Sequence, residues 1–395
     1  MPIGLFGIAD FRRLWVIGLT TFVVRWLELL VYGIFAYRQT ESSFIVAMLT
    51  LARLLPMGLF GAFLGAWAER VQRRGAMMAI VLALLACSAS LAALAWTGHL
   101  QVWHLFVAAF INGIGWAADN PVRRMMLGEV VGSARMSLAM SIDIGTNNAS
   151  RMLGPTLGGV LLAGLGIGGC FALSVALYAI ALHSSLRLAY RNADLPAGSE
   201  PVLARVLEGV ILAWQDRRLR GIFLVTILYN FFGWPYTSMV PVIAQDHLHL
   251  STEGIGLIAS LDGVGAFIGA VLMALLCRPS FFSRAYVGGC AIYFAMVSVF
   301  ALAPHAVPAG LALLLLGIGG SGYSIMQTTL VYLAAPPEMR SRALGVLSVC
   351  IGLGPIGFIN LGVMADYFGA SVATAAIGLE GLLALALTWP LWRRI

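Results

Sequence analysis

Residues 61–66 read GAFLGA, and residues 265–270 read GAFIGA. The copies stand about half a chain apart in 395 residues, of which 60% are hydrophobic. A second pair keeps nearly the same interval: Gly154-Pro155 returns as Gly354-Pro355. An apolar chain written twice predicts two similar membrane-embedded halves, with any path running between them near mid-bilayer.

Only 10% of residues are charged. Apolar stretches of ~20 residues recur from end to end, each long enough to cross ~30 Å of hydrocarbon. The segments expected are 14–37, 43–67, 75–96, 102–122, 137–164 and 167–187, then 220–244, 251–277, 284–303, 308–333, 342–366 and 371–392. The first run carries no cleavage pattern and is followed by further spans, so it reads as helix, not as a signal peptide. The expected fold is an all-α membrane protein of twelve transmembrane helices in two six-helix bundles. Residues 1–187 form the first, 188–219 a linker, and 220–395 the second.

The basic residues test this count. All 24 are arginine, and the net charge is +7. With both termini inside, the outer loops hold only Arg38, while Arg25, Arg53 and Arg151 lie at membrane depth. Every other arginine falls on an inner piece, as the positive-inside rule requires. The arginines are spread over short loops, so nothing here predicts a nucleic-acid partner.

The cysteines Cys87, Cys170, Cys277, Cys290 and Cys350 all lie inside apolar runs, without CxxC spacing. They read as small core residues. No HExxH, no GxSxG and no metal-spaced His or Cys set occurs, so neither an enzyme nor a metal or cofactor site is expected. The linker opens loop-like, after which Leu203, Leu207, Val210 and Trp214 fall on one helical face. That spacing predicts an amphipathic helix on the inner membrane surface, with Arg205, Glu208, Asp216 and Arg217 off the apolar stripe.

The run Gly65-Ala-Trp-Ala-Glu69-Arg70-Val-Gln-Arg73-Arg74 joins segments 2 and 3. It resembles the GxLaDRxGRR loop of the major facilitator superfamily, with Glu69 in place of Asp and Gln72 in place of Gly. Gly154-Pro155-Thr-Leu-Gly158-Gly159 in segment 5 resembles the GPxxGG core found in that family's antiporters and exporters. Proline removes a helix hydrogen bond, and the glycines permit bending and close approach. Shorter runs, among them Ala52-Arg53-Leu-Leu-Pro56 and Asn120-Pro121-Val-Arg123, are similar to the enterobactin-exporter and macrolide-efflux branch. The resemblance implies that Gly65, Glu69, Arg70, Arg73, Arg74, Gly154, Pro155, Gly158 and Gly159 serve gating.

A lone charge at mid-bilayer costs about 2.5–3.5 kcal/mol on insertion scales. Arg25, Glu28, Arg53, Asp143, Arg151, Asp262 and Glu380 should therefore face a partner or a wet cavity. Arg25, Glu28 and Tyr32 share a helix face, where Arg25 and Glu28 form either a neutralising pair or a titratable site. Asp143, Asn147, Arg151, Gly154 and Gly158 form one stripe. Tyr229, Asn230, Trp234 and Tyr236, with Tyr323 and Gln327, offer aromatic and amide contacts in the second half. Glu380 reads as a packing partner or a peripheral residue. The proton-coupling candidates are Asp262, Glu28 and Asp143. Of these, Asp262 has no sequence-near arginine and is the first choice.

The expected function is secondary active transport by alternating access: proton-coupled export of a small amphiphilic or anionic molecule by a monomer in a bacterial inner membrane. A lysophospholipid flippase of the same fold is the alternative.

Overall fold

The structure is a computed structural model. It describes residues 3–190, 211, 216–276, 278–336, 339–393 and 395. The long helices are α1 (Ala9–Thr40), α2 (Ser43–Arg70), α3 (Arg73–Trp96), α4 (Val102–Val131) and α5 (Ser133–Leu186). After the linker come α6 (Arg217–Leu228), a π-helical turn Tyr229–Gly233, and α7 (Tyr236–Asp246). Next are α8 (Thr252–Leu276), α9 (Phe282–Ala301), α10 (Ala306–Ala334), α11 (Arg340–Ile351), α12 (Gly354–Phe368) and α13 (Ala370–Leu387). No strand occurs among the described residues.

These helices fall on all twelve expected segments. Two segments share α5, where Gly166 adopts φ +67° and splits one helix from the next. That left-handed conformation is cheap for glycine alone. Segment 7 is α6, the π turn and α7, and segment 11 is α11 with α12. Among the described residues, nine stretches are long and apolar enough to cross a membrane. Large apolar side chains stand exposed on the helix surfaces: Leu165 by 69%, Leu275 by 76% and Leu387 by 72%. Exposure on this scale suits hydrocarbon, not water.

The described helices divide between two compact units. One comprises Met1–Phe35 with Ala52–Ser199, the other Ala36–Leu51 with Glu200–Ile395. The segment that joins α1 to α2 therefore packs with the second unit, although the sequence places it within the first half. Tyr37 Oη donates to Asp246, and Arg38 Nη2 donates to Thr252 Oγ1 at 2.7 Å. Gly362 of α12 leaves room for Ala47 and Phe44. The linker helix expected through Leu203, Leu207, Val210 and Trp214 lies outside the described residues. At its far end Asp216 caps α6, accepting from the backbone N–H of Arg218 and Leu219 at 2.7 and 3.0 Å.

Inside each unit the helices meet at glycines, as membrane helices do where backbones touch. A methyl at Gly113 of α4 would overlap the Arg53 carbonyl of α2 and crowd the Pro56 ring. A methyl at Gly317 of α10 would overlap the Asp262 carbonyl of α8. The two crossings match in register. Arg53 and Asp262 stand equally far from the starts of their helices, Ser43 and Thr252, and so do Gly113 and Gly317 from Val102 and Ala306.

The internal repeat is thus visible in the packing, but GAFLGA and GAFIGA are not its matched positions. The residue corresponding to Gly265 is Pro56. Gly265 abuts the Leu314 backbone, while Gly61 has nothing within 4 Å of the place a Cβ would take. The glycine-proline pairs also differ. Pro155 lies inside a continuous helix, whereas Pro355 sits in the first turn of α12, where its missing N–H costs nothing.

Candidate functional site

The first unit buries a file of charged and polar side chains from α1, α2, α4 and α5. Glu28 is fully buried on α1. Tyr32, one turn on, donates its hydroxyl to Glu28 Oε2 at 3.0 Å, and Ser88 of α3 donates to Oε1 at 2.9 Å. Asn112 of α4 donates to the Tyr32 oxygen at 3.4 Å and accepts from Tyr178 at 3.4 Å. Among the described residues no ion pair reaches the Glu28 carboxylate. Its direct partners are neutral hydroxyls.

The arginines take other partners. Arg25 lies 3.7 Å from Asp119 and stacks over Trp116 at 4.5 Å. The Arg25–Glu28 pairing that their spacing allows is not the one formed. Arg53 Nη2 donates to the Arg25 carbonyl at 2.9 Å. Arg123, with no exposed side-chain surface, pairs with Asp119 at 3.2 Å and with Asp143. Arg124, half exposed, stands 3.5 Å from the other Asp143 oxygen. Asp143 is therefore the acid held between cations, and Glu28 the acid held by hydroxyls.

Asp119 and Arg123 were not among the expected site residues. The sequence reading ends segment 4 at residue 122 and assigns Arg123 to an inner loop, but α4 runs to Val131 and carries both inside the unit. Their i, i+4 spacing on one helix was the available signal. It was masked by Pro121, which reads as a helix end.

The stripe on α5 lies against α1. Asn147 accepts from Trp26 Nε1 at 3.4 Å, and Arg151 stacks over the Trp26 ring at 5.3 Å. Gly154 sits on Trp26 and Leu27, and Gly158 on Leu27 and Val31. Gly159 is buried. Asn147 and Arg151 are half-buried. A Cβ at Gly154 would overlap Trp26 and the Leu27 backbone, and one at Gly158 would crowd Leu27 and Val31.

The second unit holds a different cluster, of hydroxyls, amides and rings. Tyr236 donates to Asp262 Oδ2 at 2.8 Å, both residues buried. Tyr229 and Tyr323 stack with centroids 3.6 Å apart. Gln327 donates to Tyr323 Oη at 2.6 Å and to Thr226 Oγ1 at 3.1 Å. Asn230 donates to the Thr226 carbonyl at 2.9 Å. Trp234 is half-buried at the π turn, near Gly354. A π turn widens a helix by one residue and is frequent at functional sites. Sequence reasoning found Asn230, Tyr323 and Gln327 but not Thr226 or Tyr286, which hydrogen-bond each other at 2.9 Å.

Of the expected gating loop, Arg73 pairs with Glu129 and donates to Tyr190 Oη at 2.9 Å. Arg74 donates to the Leu186 carbonyl at 2.8 Å. Burial pushes the Tyr190 phenol above the usual tyrosine range, and its hydrogen bond to Glu129 adds to the shift. The side chains of Gly65, Glu69 and Arg70 lie outside the described residues. Glu380 is exposed on α13 between the exposed Leu379 and Leu383, so it is peripheral and not a packing partner. Cys87, Cys170, Cys290 and Cys350 are free thiols, and Cys277 is outside the described residues. Among the described residues no group of His, Cys, Asp or Glu is arranged to hold a metal.

Comparison with known proteins follows the same lines. The family model of the Major Facilitator Superfamily matches residues 14–359. Macrolide efflux protein A of Streptococcus pyogenes is 22% identical over 84% of this chain and 84% of its own length. The staphyloferrin A transporter of Staphylococcus aureus is 19% identical over 91% of this chain and 90% of its own. Among solved structures, a POT family transporter in complex with 5-aminolevulinic acid superimposes with TM-score 0.77 at 14% identity. That match covers 100% of this chain and 97% of the other.

Proposed function

This chain belongs to the Major Facilitator Superfamily, and from that premise we propose that it is a proton-coupled exporter of a small amphiphilic or anionic molecule, working by alternating access. The transporter class rests on the family match and on the efflux-type relatives. The coupling and the direction are the reading offered here.

One observation carries it: Glu28 is fully buried and, among the described residues, its carboxylate accepts from the hydroxyls of Tyr32 and Ser88 and forms no ion pair. A buried carboxylate without a direct cation takes up a proton without breaking an ion pair, and protonation removes the cost of a charge in a low-dielectric interior. Asp262, whose carboxylate accepts from Tyr236, is the buried acid of the second unit. Asp143 sits between Arg123 and Arg124 and serves as a structural counter-charge. The role of coupling acid thus falls to Glu28 and Asp262.

The relatives' names supply substrates to try, a macrolide and staphyloferrin A. The setting we assign is a bacterial cytoplasmic membrane, with a monomer whose termini lie inside. In proteoliposomes with an imposed proton gradient, one of these compounds is expected to move against its own gradient, and labelled lysolipid is not. Movement indifferent to the proton gradient, or flipping of lysolipid alone, overturns the reading.

A further inference from the structure

Among α1, α2, α3, α4 and α5 the first unit encloses a cavity of about 10 Å³. Its polar wall is made by Thr21, Arg25, Arg53, Asn112, Asp119 and Tyr178. The volume is close to the minimum that holds one water molecule, and an occupying water needs two to four polar partners. Arg53 is 98% buried, and its side chain forms part of this wall. Its Nη2 is used by the Arg25 carbonyl, but among the described residues Nη1 meets no hydrogen-bond acceptor. A guanidinium N–H left unpaired in an interior costs the full desolvation of that group. Across the cavity, the Asp119 carboxylate accepts from Arg123 and retains acceptor capacity. Donor, acceptor and a space of one molecule thus coincide.

We propose that this cavity is a binding site for a single water molecule, which accepts from Arg53 Nη1 and donates to Asp119, joining the Glu28 cluster and the Asp119–Arg123–Asp143 ion ladder into one buried network. The consequence rests on the reading of Glu28 as a coupling acid. Arg53 then has acceptors to two sides, the Arg25 carbonyl on one and the water with Asp119 on the other. When Glu28 takes a proton, the positive charge of Arg53 stays compensated without a rearrangement of helices.

A short hydroxyl-radical pulse in ¹⁸O-labelled water, read by mass spectrometry, reports waters held beside buried side chains. Tyr178 is 2% exposed and lines the cavity, while Tyr293 is 1% exposed and does not. The site predicts several-fold more ¹⁸O uptake at Tyr178 than at Tyr293. A methyl added at Gly115 meets the Leu84 side chain at 2.9 Å, and Leu84 shares the cavity wall. Gly115→Ala should therefore crowd the space and lower the label on Tyr178 to the Tyr293 level. Equal labelling of the two tyrosines in the unaltered protein overturns the site, and so does undiminished Tyr178 labelling in Gly115→Ala. Should that variant fail to fold, the wild-type comparison decides alone. Labelling of Tyr178 together with an unaltered proton dependence in Glu28→Gln would leave the water site standing and remove the coupling role.

Discussion

Arg53 and Asp262 occupy the same place in their respective units. Each lends its backbone carbonyl to a crossing so close that the facing residue, Gly113 or Gly317, has no room for a Cβ. The repeat has kept the crossing and changed the charge, leaving a cation in one unit and an acid in the other.

The first prediction concerns these crossings. Gly113→Ala and Gly317→Ala each drive a methyl into backbone, which cannot move aside as a flexible side chain can. Overpacking of this kind costs about 1–3 kcal/mol. Thermal unfolding in detergent should fall by several degrees for each variant. Gly61→Ala, in open space, should leave it unchanged.

The ion ladder gives a second prediction. Removing one member of a buried pair strands the other and costs about 3–5 kcal/mol, whereas replacing both with apolar residues is close to neutral. Asp143→Leu should sharply reduce the yield of folded protein. Asp143→Leu combined with Arg124→Met should not recover it, because the strongly buried partner is Arg123. Asp143→Leu with Arg123→Met should recover part of it, limited by the Asp119 charge left behind.

A third prediction lies outside the membrane, at Tyr190. Its phenol is raised above the usual value of about 10, so the folded protein holds that proton more tightly than the unfolded chain does. The stability this contributes is fully present below about pH 10 and is lost as pH rises through the folded value. Melting measured from pH 8 upward should show an alkaline decline, and Tyr190→Phe should flatten it. An identical decline in both proteins would assign it elsewhere.

Tyr236→Phe supplies a fourth. It keeps the ring and removes the donor to Asp262. Losing one buried hydrogen bond disfavours the charged carboxylate more than the protonated one. The variant should therefore raise the pH at which proton-driven transport is half-maximal, with little change in maximal rate. An unchanged pH profile would deny the bond a role.

Much of this was legible in the chain, and for a physical reason. Every spanning helix needs ~20 apolar residues, so each span announces itself locally, and the Arg placement is consistent with twelve. Glu28, Asp143 and Asp262 were legible because a charge in an apolar run is conspicuous. What could not be read was pairing. Arg25 is three residues from Glu28 on a shared face but reaches Asp119, because the contact is set by how α1 meets α4. The two GAF runs show the reverse error: matching letters at positions the packing does not match, since small residues recur for several reasons in tight helices. The joining of residues 36–51 to the second unit depends on Tyr37 meeting Asp246, a contact across some two hundred residues.

The most direct test is proton movement itself. Purified protein in liposomes loaded with a pH-sensitive dye, given a substrate gradient, should drive a measurable pH change. Glu28→Gln with Asp262→Asn should abolish that change while substrate still raises the melting temperature. Undiminished substrate-driven proton flux in the doubly substituted protein would contradict the account.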